Sequence, residues 1–126
     1  MPSNVIVTRV KDFLKKHPPY SYLPDTVLME IAAKVQIFYF QNNEYIFKEG
    51  QENKQLLYIL KKGKVELLKE FDNNTELIDI CEEGDVFGVR SSLTGNSYIA
   101  SARSSDDSLV YGIPQTITES ILNHTI

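Results

Sequence analysis

Between positions 84 and 103 the chain reads GDVFGVRSSLTGNSYIASAR: glycine, an acid, two apolar residues, glycine, a segment of small side chains, then a return to alternating sequence. A run of this kind suits a sharp turn into one helical turn whose backbone N–H groups point outward. Small side chains at a helix N-terminus leave those donors, and the positive end of the dipole, open to an anion. Gly88, Ser91 and Ser92 supply main-chain or hydroxyl donors for that task. Arg90 adds a cation that either reaches the anion or pairs with an acid such as Asp85 or Asp106, and the pairing carries more weight. On the returning limb, Tyr98 either stacks on a ligand ring or packs, Ile99 and Ala100 follow, and Ser101 offers a hydroxyl. Arg103 lies further along, where a solvent-facing charge is the simpler account.

Other chemistry finds little support. The two histidines, His17 and His124, lie outside the expected strands and far apart, so no His-x-His pair exists for a metal in a β-roll enzyme. The serines lack a neighbouring histidine base, and no Gly-Lys-Ser/Thr follows Gly84 to make a phosphate loop. The expectation is therefore a non-enzyme with no metal. A net charge of −4 argues against a nucleic-acid grip, which normally shows a basic excess; Lys11, Lys15 and Lys16 read as a solvated helix face. No apolar run is long enough to span a bilayer and the start lacks a signal-peptide core. Cys81, the one cysteine, sits in an apolar strand pattern and reads as a small core residue in a reducing compartment. These features predict a cytoplasmic protein that contacts neither membrane nor nucleic acid.

The elements that must carry the 84–103 stretch come from its flanks. Residues 4–16 have helical spacing with Ile6, Val10, Phe13 and Leu14 on one face, and His17-Pro18-Pro19 ends that helix. Pro24, at a first-turn position, opens a second helix through Val27, Leu28, Ile31 and Val35. The period then changes. Residues 37–40, 45–47, 55–60, 64–68, 76–81, 99–103 and 108–113 read as short strands, separated by turn signals such as Asn42-Asn43, Glu49-Gly50, Lys62-Gly63, Asp72-Asn73-Asn74 and Glu83-Gly84. Many short strands, without alternating helices, favour a sandwich or rolled barrel over a parallel sheet. After Pro114 the helical period returns through Ile117, Ile121 and Leu122. The expected class is mainly β with flanking helices.

Three runs taken together, Tyr45-Ile46-Phe47-Lys48-Glu49-Gly50, Leu57-Tyr58-Ile59-Leu60-Lys61-Lys62-Gly63-Lys64-Val65 and Gly84-Asp85-Val86-Phe87-Gly88, resemble the cyclic nucleotide-binding domain family over roughly residues 24–122. The resemblance implies an eight-stranded jelly roll with two N-terminal helices and one C-terminal helix. It divides the chain into an N-terminal helical segment, 1–23, and a cyclic nucleotide-binding-like domain, 24–126, that lacks the final lid helix. It makes Phe87-Gly88 through Ala100-Ser101 the phosphate-binding cassette, with Gly88, Val89, Arg90, Ser91, Ser92, Tyr98, Ile99, Ala100 and Ser101 as candidate ligand-binding residues.

The family holds the cyclic phosphate with an arginine and the ribose 2′-hydroxyl with a glutamate after Phe-Gly. Here Val89 stands at the glutamate position and Tyr98 at the arginine position. Valine accepts no hydrogen bond and tyrosine is uncharged at pH 7. Losing both charged partners removes about 3–6 kcal/mol, or roughly two to four powers of ten in affinity. The resemblance thus implies cAMP or cGMP as ligand, while the residues argue against ordinary binding of either. Phe-Gly-Val-Arg followed by Tyr-Ile-Ala-Ser-Ala further resembles a branch in which the domain precedes CBS modules and a nucleotidyltransferase-like domain in bacterial signal-transduction proteins. That branch would make the chain an N-terminal fragment with a downstream output domain. Two functions stay open: a regulatory domain sensing a small anionic ligand, and a non-binding module for dimerisation or interdomain contacts, with a homodimer as a candidate assembly.

Overall fold

Proline and apolar spacing set the N-terminal elements. A computed structural model describes residues 4–18, 20–52, 54–88 and 97–117, and the chain divides into two compact units, Met1–Gln36 and Ile37–Ile126. In the first unit, helix α1, Asn4–Lys15, buries Val7, Val10, Phe13 and Leu14. Ile6 is exposed, and Val7 takes the place expected for it, because positions 7, 10 and 14 keep i, i+3, i+7 spacing while 6 lies at the edge of that face. The last turn tightens, with Lys16 and His17 donating to the carbonyls of Phe13 and Leu14 at 3.1 Å, before Pro18 stops it. A single 3₁₀ turn, Tyr20–Tyr22, leads to α2, Asp25–Lys34, which buries Leu28, Ile31 and Ala32. Pro24 is the extended residue that caps α2 rather than its first helical residue. Lys15 Nζ meets Asp25 Oδ1 at 2.7 Å and its ammonium holds the Asp25 carboxyl below the usual range.

The second unit is a jelly roll of eight strands: β1 Gln36–Phe40, β2 Tyr45–Phe47, β3 Leu56–Lys62, β4 Val65–Phe71, β5 Asn74–Cys81, β6 Val86–Phe87, β7 Ser101–Ser104 and β8 Ser108–Pro114. They form two antiparallel sheets, ordered β1-β8-β3-β6 and β2-β7-β4-β5. Both sheets send side chains into one core: Leu56, Tyr58, Leu60, Phe87 and Val110 from the first, and Ile46, Phe47, Val65, Cys81 and Ala102 from the second. Burying such side chains contributes about 1.5–3 kcal/mol each, which makes this shared face the main source of stability. Helical backbone resumes at 115–117. Among the described residues no helix is long and apolar enough to cross a membrane.

The strand boundaries follow turn chemistry. Asp72 and Asn73, both at positive φ, make a two-residue hairpin turn with Phe71 opposite Asn74, so β4 and β5 extend further than their apolar cores suggest. β6 is two residues long, too short to show a period, and is the strand that sequence spacing does not reveal. The seventh strand starts at Ser101 rather than 99. At the β3–β4 turn, Gly63 (φ +104°) lies against the β7–β8 turn, where an added Cβ would run into Ser108 Oγ and come 2.6 Å from the Asp107 carbonyl. Gly63→Ala is therefore expected to destabilise the protein by more than about 1 kcal/mol in urea unfolding. The buried Cys81 thiol is pushed up to about 12, chiefly by burial. Its contribution to stability is complete below the unfolded thiol value of about 8.5 and is lost as pH rises from there toward the folded value. Iodoacetamide should label Cys81 only on unfolding.

Candidate functional site

The described part of the cassette is its two limbs, 86–88 entering and 97–101 returning; Val89, Arg90, Ser91 and Ser92 lie outside the described residues. β6 is laid against β3, with Phe87 opposite Tyr58 and Val86 opposite Ile59. The approach is fixed by Gly84 N–H donating to the Leu60 carbonyl (2.8 Å) and Leu60 N–H to the Asp85 carbonyl (3.0 Å). The Asp85 carboxylate accepts from Glu82 N–H at 2.8 Å. Gly88 has φ +78°, and a Cβ there would sit 3.1 Å from the Tyr58 ring. The positive φ favours glycine at this turn, and a side chain would also press on the ring.

The returning limb is built around Tyr98. Its side chain is only 2% exposed, and its ring lies flat on Phe47, 3.9 Å between centroids with 11° between planes. Phe47 in turn contacts Tyr58 at 5.6 Å and Phe87 at 6.1 Å, and Tyr58 stacks on Phe87 at 5.4 Å. Four rings thus join the two limbs of the cassette to β2 and β3. Aromatic pairs in such geometry add about 0.5–1.5 kcal/mol each beyond the area they bury. The Tyr98 hydroxyl accepts from Lys54 N–H at 3.2 Å. It also shares a hydrogen bond with the Tyr58 phenol, which burial first, and this bond second, push well above the ordinary tyrosine value. The Tyr58 phenol stays neutral across the physiological range.

The backbone of the limb is held as tightly. Tyr98 N–H donates to the Gln51 carbonyl (3.0 Å), and the Tyr98 carbonyl accepts from Gly50 N–H (2.8 Å). Ser101 Oγ accepts from Glu49 N–H at 2.8 Å. Lys69 Nζ donates to the Ile99 carbonyl at 2.6 Å and meets Glu49 Oε2 at 3.3 Å, while Glu70 N–H donates to the other Glu49 oxygen at 3.2 Å. These contacts hold the Glu49 carboxyl below its usual range, the Glu70 N–H first among them. Ile99 points outward and is about half exposed, and Ala100 is half-buried.

Of the candidate residues described, Tyr98 packs into the core, Ser101 and the backbone around Ile99 serve structural bonds, and Gly88 makes a positive-φ turn beside a ring. Arg103 is not a free surface charge: its guanidinium meets Glu66 Oε1 at 3.2 Å and hydrogen-bonds Tyr45. Phe47, Tyr58, Lys54 and Lys69 shape the site without having been singled out. Phe47 and Tyr58 lie in the apolar runs that mark β2 and β3, but nothing in the sequence marks Lys69 as a partner of the cassette. Among the described residues no three metal-binding side chains gather closely enough to hold an ion.

The sequence profile of the cyclic nucleotide-binding domain family matches residues 37–125. Human cGMP-dependent protein kinase 2 is 29% identical over 83 residues, which cover 64% of this chain and 11% of the kinase. The fold is similar to that of the regulatory domain of Toxoplasma gondii PKA solved with cAMP (TM-score 0.83, 16% identity, 96% of this chain and 46% of that one). It is likewise similar to the sensor domain of the transcriptional regulator DNR from Pseudomonas aeruginosa (TM-score 0.84, 17% identity, 93% and 79%).

The ring stack and the phenol bonds separate by mutation. Tyr98→Phe keeps the stack and is expected to cost about 0.5–1.5 kcal/mol, the worth of an ordinary hydrogen bond. Tyr98→Ala removes both and should cost about 3–5 kcal/mol. Urea unfolding of the two variants checks the difference.

Proposed function

This chain belongs to the cyclic nucleotide-binding domain family, and we propose that it is a regulatory ligand-sensing domain whose cassette does not grip cAMP or cGMP in the family's charged manner. The observation that carries the reading is Tyr98. At the position where the family resemblance puts arginine stands a neutral ring, buried at 2% exposure, stacked on Phe47 and satisfied at its hydroxyl. Val89 at the glutamate position agrees with it, since tyrosine brings no charge to a phosphate and valine no acceptor to a ribose hydroxyl. Any anion would have to be held by Gly88, the donors of Ser91 and Ser92, or Arg90, with Ile99, Ala100 and Ser101 as the supporting limb.

The domain acts within a larger cytoplasmic signal-transduction protein as a regulator and not as a catalyst. CBS modules and a nucleotidyltransferase-like domain are the proposed output, on the strength of the branch resemblance. The alignment covers 11% of the human kinase, so the kinase's own activity is not carried over. A second reading, a non-binding module for dimerisation or interdomain contacts, is favoured by the same ring. Tyr98 completes a hydrophobic cluster without any guest.

Calorimetry with cAMP and with cGMP is expected to show no binding tighter than roughly 100 µM. Sub-micromolar binding of either would refute the proposal. A thermal-shift screen of anionic metabolites separates the two readings: one specific stabiliser supports sensing, and none at millimolar concentration supports the non-binding module. The double variant Val89→Glu, Tyr98→Arg should gain cyclic-nucleotide affinity if the remaining cassette is intact.

A further inference from the structure

The β4–β5 hairpin has two properties that do not belong together on an inert surface. β5 ends its sheet, pairing with β4 on one side among the described residues, and seven of its eight residues are exposed. Three of those are large and apolar, Leu77, Ile78 and Ile80, between 43% and 51% exposed, and Phe71 at the hairpin turn is 44% exposed. A strand edge flanked by apolar side chains is a template for another strand. Positions 64–85 also hold eight carboxylates against Lys64 and Lys69, a net −6 in a chain whose total is −4, so the remaining positions together carry +2. Lys69 is drawn away to Glu49 and the Ile99 carbonyl, and cannot neutralise the edge.

The edge is also guarded. Ile80 N–H donates to its neighbour Asp79 Oδ1 at 2.8 Å, a bond within β5 rather than across to β4. The register shifts opposite Leu67 and Leu68, leaving Ile78 as the extra residue of a bulge. An uncharged strand arriving here would have to displace a carboxylate from an amide without giving it a new partner. A basic strand would supply that partner, drawing Asp79 aside and freeing Ile80 N–H for a ladder bond.

We propose that the β5 edge is a docking site for an extended segment of a partner polypeptide in which basic and apolar residues alternate, added as a further strand beside β5. Apolar side chains of the partner would cover Leu77 and Ile80, and its lysines or arginines would meet Asp79 and Glu76. A second copy of this chain is a poor occupant, because pairing β5 with itself would bring Glu76 and Asp79 of both copies together.

The test uses the whole chain and three fluorescein-labelled octapeptides: alternating lysine and valine, alternating glutamate and valine, and the lysine–valine peptide with a central proline. Fluorescence anisotropy should show the lysine–valine peptide binding at least about tenfold more tightly than either control, with affinity falling as salt is raised. Hydrogen exchange should slow at the Ile80 amide when that peptide is bound. The double variant Leu77→Lys, Ile80→Lys, at exposed positions, should lose at least about tenfold in affinity with an unchanged thermal melt. Should that variant not fold, Asp79→Lys keeps the apolar side chains and reverses the charge, with the same loss expected. Equal binding of the three peptides, or equal binding by the variants, overturns the proposal. So does a wild-type dimer in sedimentation that Leu77→Lys, Ile80→Lys dissolves, since the occupant would then be a second copy.

Discussion

Phe47 is the residue on which both limbs of the cassette rest. Tyr98 lies on one side of it at 3.9 Å, and Tyr58 and Phe87 crowd it at 5.6 and 6.1 Å. Because Phe47 ends β2 while Tyr58 and Phe87 belong to β3 and β6, this contact couples the two sheets at the point where the chain leaves and re-enters the roll. The bonds between 98 and 50–51 put the returning limb in register with the turn after β2, and Ser101 then enters β7 already aligned with it. Gly88 sits beside the same rings at φ +78°, and a side chain there would press on Tyr58.

A charged residue at position 98 would create a different energetic problem. An arginine buried among these rings would need a counter-charge, and without a ligand the cost of leaving it unpaired would be several kcal/mol on the order seen for buried ions. Tyrosine removes that dependence, because its ring gains contact area and its hydroxyl finds Lys54 N–H and the Tyr58 phenol. The cluster is closed by the chain itself. Lys69 and Glu49 extend this self-sufficiency to the surface, where they hold the Ile99 carbonyl and the turn that supports it. The same lysine is thereby withdrawn from a hairpin that its eight carboxylates already make acidic.

Much of this architecture is legible in the sequence, for identifiable reasons. The apolar runs of β3 and β4 and the glycines at 50, 63 and 84 mark strands and turns, and those glycines all take positive φ. The resemblance carried by the same residues supplies the jelly roll. What the sequence hides is what depends on partners far along the chain. β6 has too few residues for a period, Ile6 and Val7 are both plausible on a helical face until packing chooses, and Ile99 falls outside β7 because its limb pairs with a turn. Tyr98 is recognisable as a departure from the family pattern. Its role as a core ring requires knowing that Phe47, more than fifty positions earlier, lies beneath it.

The proposal rests on Tyr98 standing where the resemblance puts arginine and staying packed there. Proton NMR of the Tyr98 and Phe47 rings, followed while cAMP is raised to millimolar concentration, tests this most directly. The account predicts strong ring-to-ring cross-relaxation that persists unchanged throughout the titration. Loss of that signal with saturation at micromolar cAMP, as the tyrosine swings out and nucleotide takes its place, would contradict it.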